Sequence, residues 1–164
     1  MNAESTGPIW TARMLSVLRI VVGLLYIEHG TNKMFGWPPT GRSPIPYVLA
    51  SMNGVAGVLE TLGGTLILIG LFTRPVAFVL AGEMAVAYFK VHIVRSIFPI
   101  ANGGDNVVMF CFTYLYLFFA GAGPWSVDAL LARRKSGTTH LEDHDRSPVH
   151  SRRIDLEDRR RDAV

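Results

Sequence analysis

The side chains best suited to chemistry in this chain sit inside long apolar runs. Glu60 is the one charge between residues 52 and 72, Glu83 lies between 75 and 93, and Arg19 between 14 and 30. An ionisable group in hydrocarbon is costly unless it is paired or solvated. Such a residue is therefore either glue, hydrogen-bonded across packed helices, or a marker of a proton or substrate path. Both readings stand for Glu60 and Glu83; glue is the first expectation for Arg19. With a rise of about 1.5 Å per residue, measured from the side that holds the termini, Arg19 lies about 8 Å deep, Glu83 about 12 Å and Glu60 about 18 Å. An Arg19–Glu83 pair is then expected if the first and third helices touch. Glu60 is left near the middle with no cation at its level, a carboxyl able to carry a proton.

A second polar group gathers at the opposite ends of these runs. Glu28-His29-Gly30 closes the first, with Lys33 a turn beyond; Lys90 and His92 close the third; Asn102-Gly103-Gly104-Asp105 precedes the fourth. If the helices bundle, these residues converge on one mouth. Histidine is the side chain suited to exchanging protons in the physiological range, with a carboxylate or a quinol. The candidate catalytic residues are thus His29, Glu60, Glu83 and His92. Arg19, Lys33, Asn102 and Asp105 are candidates for pairing or for a polar pocket. The plain alternative at the mouth is a wetted interface, above all for Lys90 and Arg95. No metal site is expected, because within the spans no His-x-x-x-His or Glu-x-x-His pair shares a helix face.

The elements that must position these groups are four helices, each near the 20 or so apolar residues that a bilayer core of about 30 Å demands. They are expected at roughly 14–30, 52–72, 75–93 and 106–120. Between them, Pro38, Pro39, Pro44 and Pro46 forbid helix over 36–46, Thr73-Arg74-Pro75 makes a tight turn, and Asn102-Gly103-Gly104 makes another. Trp10, Trp37, Tyr47 and Trp125 fall near the ends of the spans, where aromatic belts form. The first run is read as a permanent span, not a cleaved signal, since no small-x-small site follows it. Gly57 and Gly64 lie on one helical face with Glu60, which predicts close helix packing there and carries Glu60 into the bundle.

Composition agrees and sets the limits. Residues 133–164 hold 9 Lys/Arg and 7 Asp/Glu, half of their positions, and no aromatic residue. The first 132 residues carry only 13 charges. That is about 10%, against about 25% in an ordinary soluble domain. The expected organisation is a short N-terminal segment (1–13), a four-span membrane domain (14–131) and a charged, disordered tail (132–164). The fold class is all-α, a four-helix transmembrane bundle. The pI of 9.3 does not indicate nucleic acid, as no basic face interleaves with aromatics. The single cysteine, Cys111, excludes an intrachain disulfide, a Cys-x-x-Cys pair and a thiolate zinc site. Arg13, Arg74 and Arg133-Arg134-Lys135 on one side, against Lys33, Arg42, Lys90 and Arg95 on the other, predict a multi-pass protein of the cell membrane with both termini cytoplasmic.

Several spaced motifs resemble those of the DoxX family, in order, over roughly residues 13–131. Leu18-Arg19-Ile20, Gly23, His29-Gly30, Lys33 and Phe35-Gly36 resemble its opening signature. Glu60, Gly63-Gly64, Gly70-Leu71 and Thr73-Arg74 are similar to its second span, and Met84, Ala87-Tyr88-Phe89 and His92 to its third. Asn102-Gly103-Gly104-Asp105 and Gly123-Pro124-Trp125-Ser126-Val127-Asp128 resemble its closing pattern. Asp105 departs from the Glu often found there, which shortens the carboxylate's reach. The resemblance implies a four-helix integral membrane protein. Some relatives are subunits of a thiosulfate:quinone oxidoreductase, and mycobacterial ones partner superoxide dismutase and a sulfurtransferase in a thiol-redox complex; most have no assigned reaction.

Three functions follow as expectations. The first is a membrane subunit of a redox complex that binds a quinone between its helices. The sequence has no thiol pair, haem pattern or dinucleotide loop, so the electrons would come from a soluble redox partner or an organic cofactor. The second is a scaffold that recruits soluble redox or stress proteins through the tail and the turn at Arg74. The third is a small-solute or proton transporter, which four spans could form only as a homo-oligomer.

Overall fold

Helices occupy all four stretches expected as spans in the computed structural model, which describes residues 7–40 and 49–135. In chain order they are α1 (Gly7–Phe35), α2 (Met52–Ile69), α3 (Thr73–Ala87), the short α4 (Pro99–Asn102) and α5 (Asp105–Ala120). α3 runs on into a single π-helical turn, Tyr88–His92. No strand occurs among the described residues. Residues up to Ala129 form one compact unit, which carries everything discussed below. In the second unit, from Leu130 onward, residues 130–135 are helical. The tail expected to be disordered, 132–164, is helical over 132–135; the rest of it, 136–164, lies outside the described residues, as do Arg42 and Tyr47 of the 36–46 connection and its continuation.

α1 and α2 are each long and apolar enough to cross a bilayer. α5 is apolar but shorter, at 16 residues. The distribution of polarity is inverted relative to a protein dissolved in water. Leu24, Leu25, Phe112, Met109 and Phe119 face outward, whereas Arg19 and Glu60 are 0% and 2% exposed.

Glycine governs the α1–α2 contact. A Cβ built on Gly23 would fall 2.7 Å from the Leu68 nitrogen, and one on Gly64 would fall 3.0 Å from the Ile27 nitrogen. One turn-pair further along, a Cβ on Gly30 would approach the Thr61 nitrogen to 2.6 Å. The backbones therefore touch along both helices, as small residues permit. Gly57 and Gly64 are buried on the same face as Glu60, as their spacing predicts.

The turn between α2 and α3 is fixed by a local cap on one side and a long-range one on the other. α2 stops at Ile69 rather than near residue 72, because Gly70 takes the left-handed conformation (φ 70°). Its N–H and that of Leu71 close back on the Leu66 carbonyl at 3.0 Å. α3 then starts at Thr73, so the expected turn at Thr73-Arg74-Pro75 is displaced to residues 70–72. Asp128 caps this start from 55 residues away. Its Oδ1 accepts from Phe72 N–H and its Oδ2 from Thr73 N–H, both at 2.9 Å. A carboxylate at a helix N-terminus also meets the favourable end of the helix dipole.

Arg19 does not pair with Glu83. Its guanidinium donates to four carbonyls instead: Ala122 at 2.8 Å, Trp125 at 2.6 Å, Leu68 at 2.5 Å, and Ile67. Two of these carbonyls belong to the last turn of α2, which has no partner inside the helix and carries the negative end of the dipole. Arg19 is engaged at the α2 terminus and the 122–125 segment, whereas Glu83 meets Tyr26, seven residues further along α1. Ser16 helps anchor that segment, accepting from Trp125 N–H at 3.2 Å.

Replacing Arg19 with Met strands three of these acceptors, since Ile67 O keeps the Gly70 N–H, and each is worth roughly 1–3 kcal/mol when buried without a donor. Gly64→Leu forces apart backbones already in contact, at a cost of about 1–3 kcal/mol or more. Both variants are expected to melt well below the parent in detergent. An unchanged melting temperature for Arg19→Met would mean that this network does not hold the fold.

Candidate functional site

α2 and α3 touch near their shared turn, where a Cβ on Gly63 would lie 2.7 Å from Leu80 Cδ2. Further from the turn, between the levels of Val79 and His92, lies a cavity of about 800 Å³. That falls within the usual range for a small-molecule site, about 300–1,000 Å³. α1, α2, α3 with its π turn, and α5 all contribute to the lining. Most of it is apolar, including Leu59, Val79, Met84, Val86 and Val107. The polar exceptions include five residues singled out by sequence: His29, Lys33, Glu60, Glu83 and His92.

Lys33 and Glu60 form an ion pair, with Nζ and Oε1 2.5 Å apart. Glu60 was expected to lack a cation at its level. The correction has a simple cause. Gly30 and Gly57 bring the two backbones together just beside the pair, and the long lysine side chain reaches down α1 toward its buried partner. Glu83 is held differently. Its Oε2 accepts from the Tyr26 hydroxyl at 3.0 Å. Each carboxylate thus has one oxygen engaged, while Glu60 Oε2 and Glu83 Oε1 are buried without a hydrogen-bond partner. Both oxygens are themselves shielded, but they belong to residues that line one cavity, and buried polar atoms are nearly always satisfied; the two carboxyls suit a ligand that donates hydrogen bonds or exchanges protons.

The two histidines occupy the outer part of the cavity. His29 Nδ1 lies 2.9 Å from the Leu25 carbonyl and His92 Nδ1 lies 3.1 Å from that of Asn102. A carbonyl can only accept, so Nδ1 carries the hydrogen in both rings and Nε2 becomes the acceptor. The π turn decides where His92 sits. In an unbroken α-helix nine residues place it about 180° from Glu83. One extra residue in the winding turns it back by about 100°, toward the carboxylate's side. The Ile93 N–H to Tyr88 carbonyl bond, 3.0 Å, marks this wider turn.

The other polar candidates are placed elsewhere. Asn102 is buried outside the lining and folds the 96–104 connection: its amide donates to Ser96 O at 2.7 Å and its Oδ1 accepts from Gly104 N–H at 2.7 Å. It acts on the site through its own carbonyl, which orients His92. Asp105 is exposed in the first turn of α5 and does not line the cavity; Arg19 belongs to the opposite end.

Sequence reasoning passed over Tyr26 and Phe110. Tyr26 is 1% exposed, lines the cavity and packs against Phe110 and Tyr114 with ring centroids 5.3 and 4.9 Å away. Phe110 also meets the His29 ring edge-on at 5.5 Å. The available signal was the stripe Tyr26, His29, Gly30 and Lys33, spaced three, four and seven residues along one helical face. A buried tyrosine on that stripe needs a partner for its hydroxyl.

The DoxX family model matches residues 14–93, a range that contains Tyr26 and all five of the singled-out cavity residues. An uncharacterized protein of Haemophilus influenzae is 43% identical over 117 residues, covering 70% of this chain and 87% of that protein. An uncharacterized membrane protein of Mycobacterium tuberculosis is 27% identical over 132 residues, covering 71% of this chain and 80% of its own. No solved structure matches the chain. The chain belongs to the DoxX family and is a membrane protein.

Breaking a buried ion pair from one side costs more than removing both charges. Lys33→Met alone is expected to destabilise the protein by about 3 kcal/mol, and adding Glu60→Gln to recover much of that loss. Unfolding free energies of the two single variants and the double variant in mixed micelles provide the check. Strictly additive losses would contradict the pairing.

Proposed function

We propose that this DoxX-family protein is the membrane subunit of a redox complex, and that its cavity takes a quinone headgroup. The observation that supports this reading is the pair of carboxyls, Glu60 and Glu83, each with one unpartnered oxygen, on the wall of a mostly apolar cavity of about 800 Å³. A quinone accepts two electrons and two protons to become a quinol. The electrons are supplied by a soluble redox partner protein. The chain's own residues serve the protons and the binding.

Lys33 fixes Glu60 through Oε1 and leaves Oε2 toward exchange. Tyr26 fixes Glu83 through Oε2 and leaves Oε1 in the same way. His29 and His92, oriented by backbone carbonyls, relay protons between the mouth and these carboxyls through Nε2. The valine, leucine and methionine walls exclude water around the exchanging groups, which strengthens each hydrogen bond made there. The excess of arginine and lysine at Arg13, Arg74 and Arg133-Arg134-Lys135 supports placing both termini in the cytoplasm of a cell membrane. The carboxylates and histidines then lie toward its far side.

In membranes that hold the protein with its native partners, Glu60→Gln and His29→Ala are each expected to slow partner-dependent quinone reduction by roughly 100-fold or more, the usual range for a positioned acid or base. Rates equal to the parent's would rule out this use of the cavity. Reporter fusions at the two ends should both register on the cytoplasmic side; a periplasmic signal from either would reverse the orientation.

A further inference from the structure

Two of the four seams around the cavity are closed by extended packing, and a third is crossed by aromatic rings. Between α1 and α2 the backbones touch at Gly30 and Gly57. Between α1 and α5, Phe110 lies against both Tyr26 and His29. Between α3 and α5, Leu80, Met84, Tyr114 and Leu117 share one buried cluster, and Cys111 Sγ donates to the Ala81 carbonyl at 3.4 Å. The fourth seam, between α2 and α3, is closed near the turn by Gly63 and Leu80. From that level outward its edges are Val55 and Leu59 on α2 and Val79 and Val86 on α3, all of which line the cavity.

These edge residues also belong to the outward faces of their helices. Val79 and Val86 are seven residues apart and flank Glu83, on the side leading to the exposed Phe78 and Phe89. Val55 lies seven residues from the exposed Leu62 on α2, again one face. Val55, Val79 and Val86 are 51%, 52% and 53% exposed. A purely apolar pair of edges, in the segment that crosses the bilayer, faces acyl chains rather than water. Such a margin opposes the passage of a polar ligand from the aqueous side, whereas a chain of methylene or isoprene units already in the bilayer can occupy it without loss.

We propose that the ligand enters from the bilayer, between α2 and α3 beyond the Gly63–Leu80 contact, and that it is a headgroup carrying a long apolar tail which stays in this seam. The inference rests on the quinone reading and adds the class of quinone, a lipid-soluble one, and its route. The headgroup reaches Glu60 and Glu83, while the tail leaves past Val55, Val79 and Val86.

The full chain in lipid nanodiscs tests this with two photoreactive benzoquinones, one with a diazirine at the end of a long alkyl tail and one tailless with the diazirine on the ring. Adducts are mapped by mass spectrometry, with and without excess unlabelled quinone. The tailless probe is expected to label the cavity wall, at Tyr26 or Phe110, and the tail-end diazirine to label the outward faces of α2 and α3. Tail-end adducts on Ser51 or Asn106, or along the outer faces of α1 or α5, would overturn the route while the quinone reading survives. A tailless probe that gives no competed adduct in the cavity would overturn the quinone reading, and this inference with it. Val86→Trp, which narrows the seam, is expected to weaken the tailed probe roughly tenfold relative to the tailless one. An equal effect on both would also overturn the route.

Discussion

Two helices meet backbone to backbone only where side chains are missing, and α1 and α2 meet this way at Gly23, Gly30, Gly57 and Gly64. Everything else in the bundle follows from that contact. It brings Lys33 within reach of Glu60, so that a charge can remain deep in an apolar environment with its counter-ion beside it. It sets the end of α2 beside Arg19. It also commits α2 to α1, and α3 packs mainly on α5. The two pairs join at the turn between α2 and α3, and the space between them widens away from it.

The two ends of the bundle have different tasks. At the turn, the charged groups Arg19 and Asp128 are consumed by backbone, Arg19 by four carbonyls and Asp128 by two amides, and Ser16 accepts from the Trp125 amide. Such a network satisfies helix ends and leaves only the Thr73 hydroxyl without a partner there. At the other end the carboxylates are only half engaged, and the histidines are oriented through one nitrogen. The motif residues of the chain therefore divide into those that lock the fold and those that face the cavity, although in the sequence they are interleaved.

Much of the architecture was legible because helical periodicity and span length are local properties. The four helices, the burial of Glu60 with Gly57 and Gly64, and the convergence of His29, Lys33 and His92 on one region could be read from spacing. The mistakes concern azimuth and reach. Arg19 and Glu83 were matched by depth, but depth does not say which way a side chain points around its helix. Glu60 was left without a cation because Lys33 was counted by its Cα level, and a lysine side chain spans more than one helical turn. Asp105 was grouped with the mouth on the strength of its neighbours, yet it stands exposed at the first turn of α5.

The sequence by itself determined that this is an all-helical membrane protein with ionisable groups turned inward, because apolar length and the 3.6-residue repeat act within a single segment. The tertiary structure alone decided the partners: Lys33 for Glu60, Tyr26 for Glu83, backbone carbonyls for Arg19. It also decided the π turn that swings His92 toward the cavity, whose walls come from α1, α2, α3 and α5 together. These depend on how helices distant in the chain are rotated against one another, and close packing of their surfaces fixes that rotation.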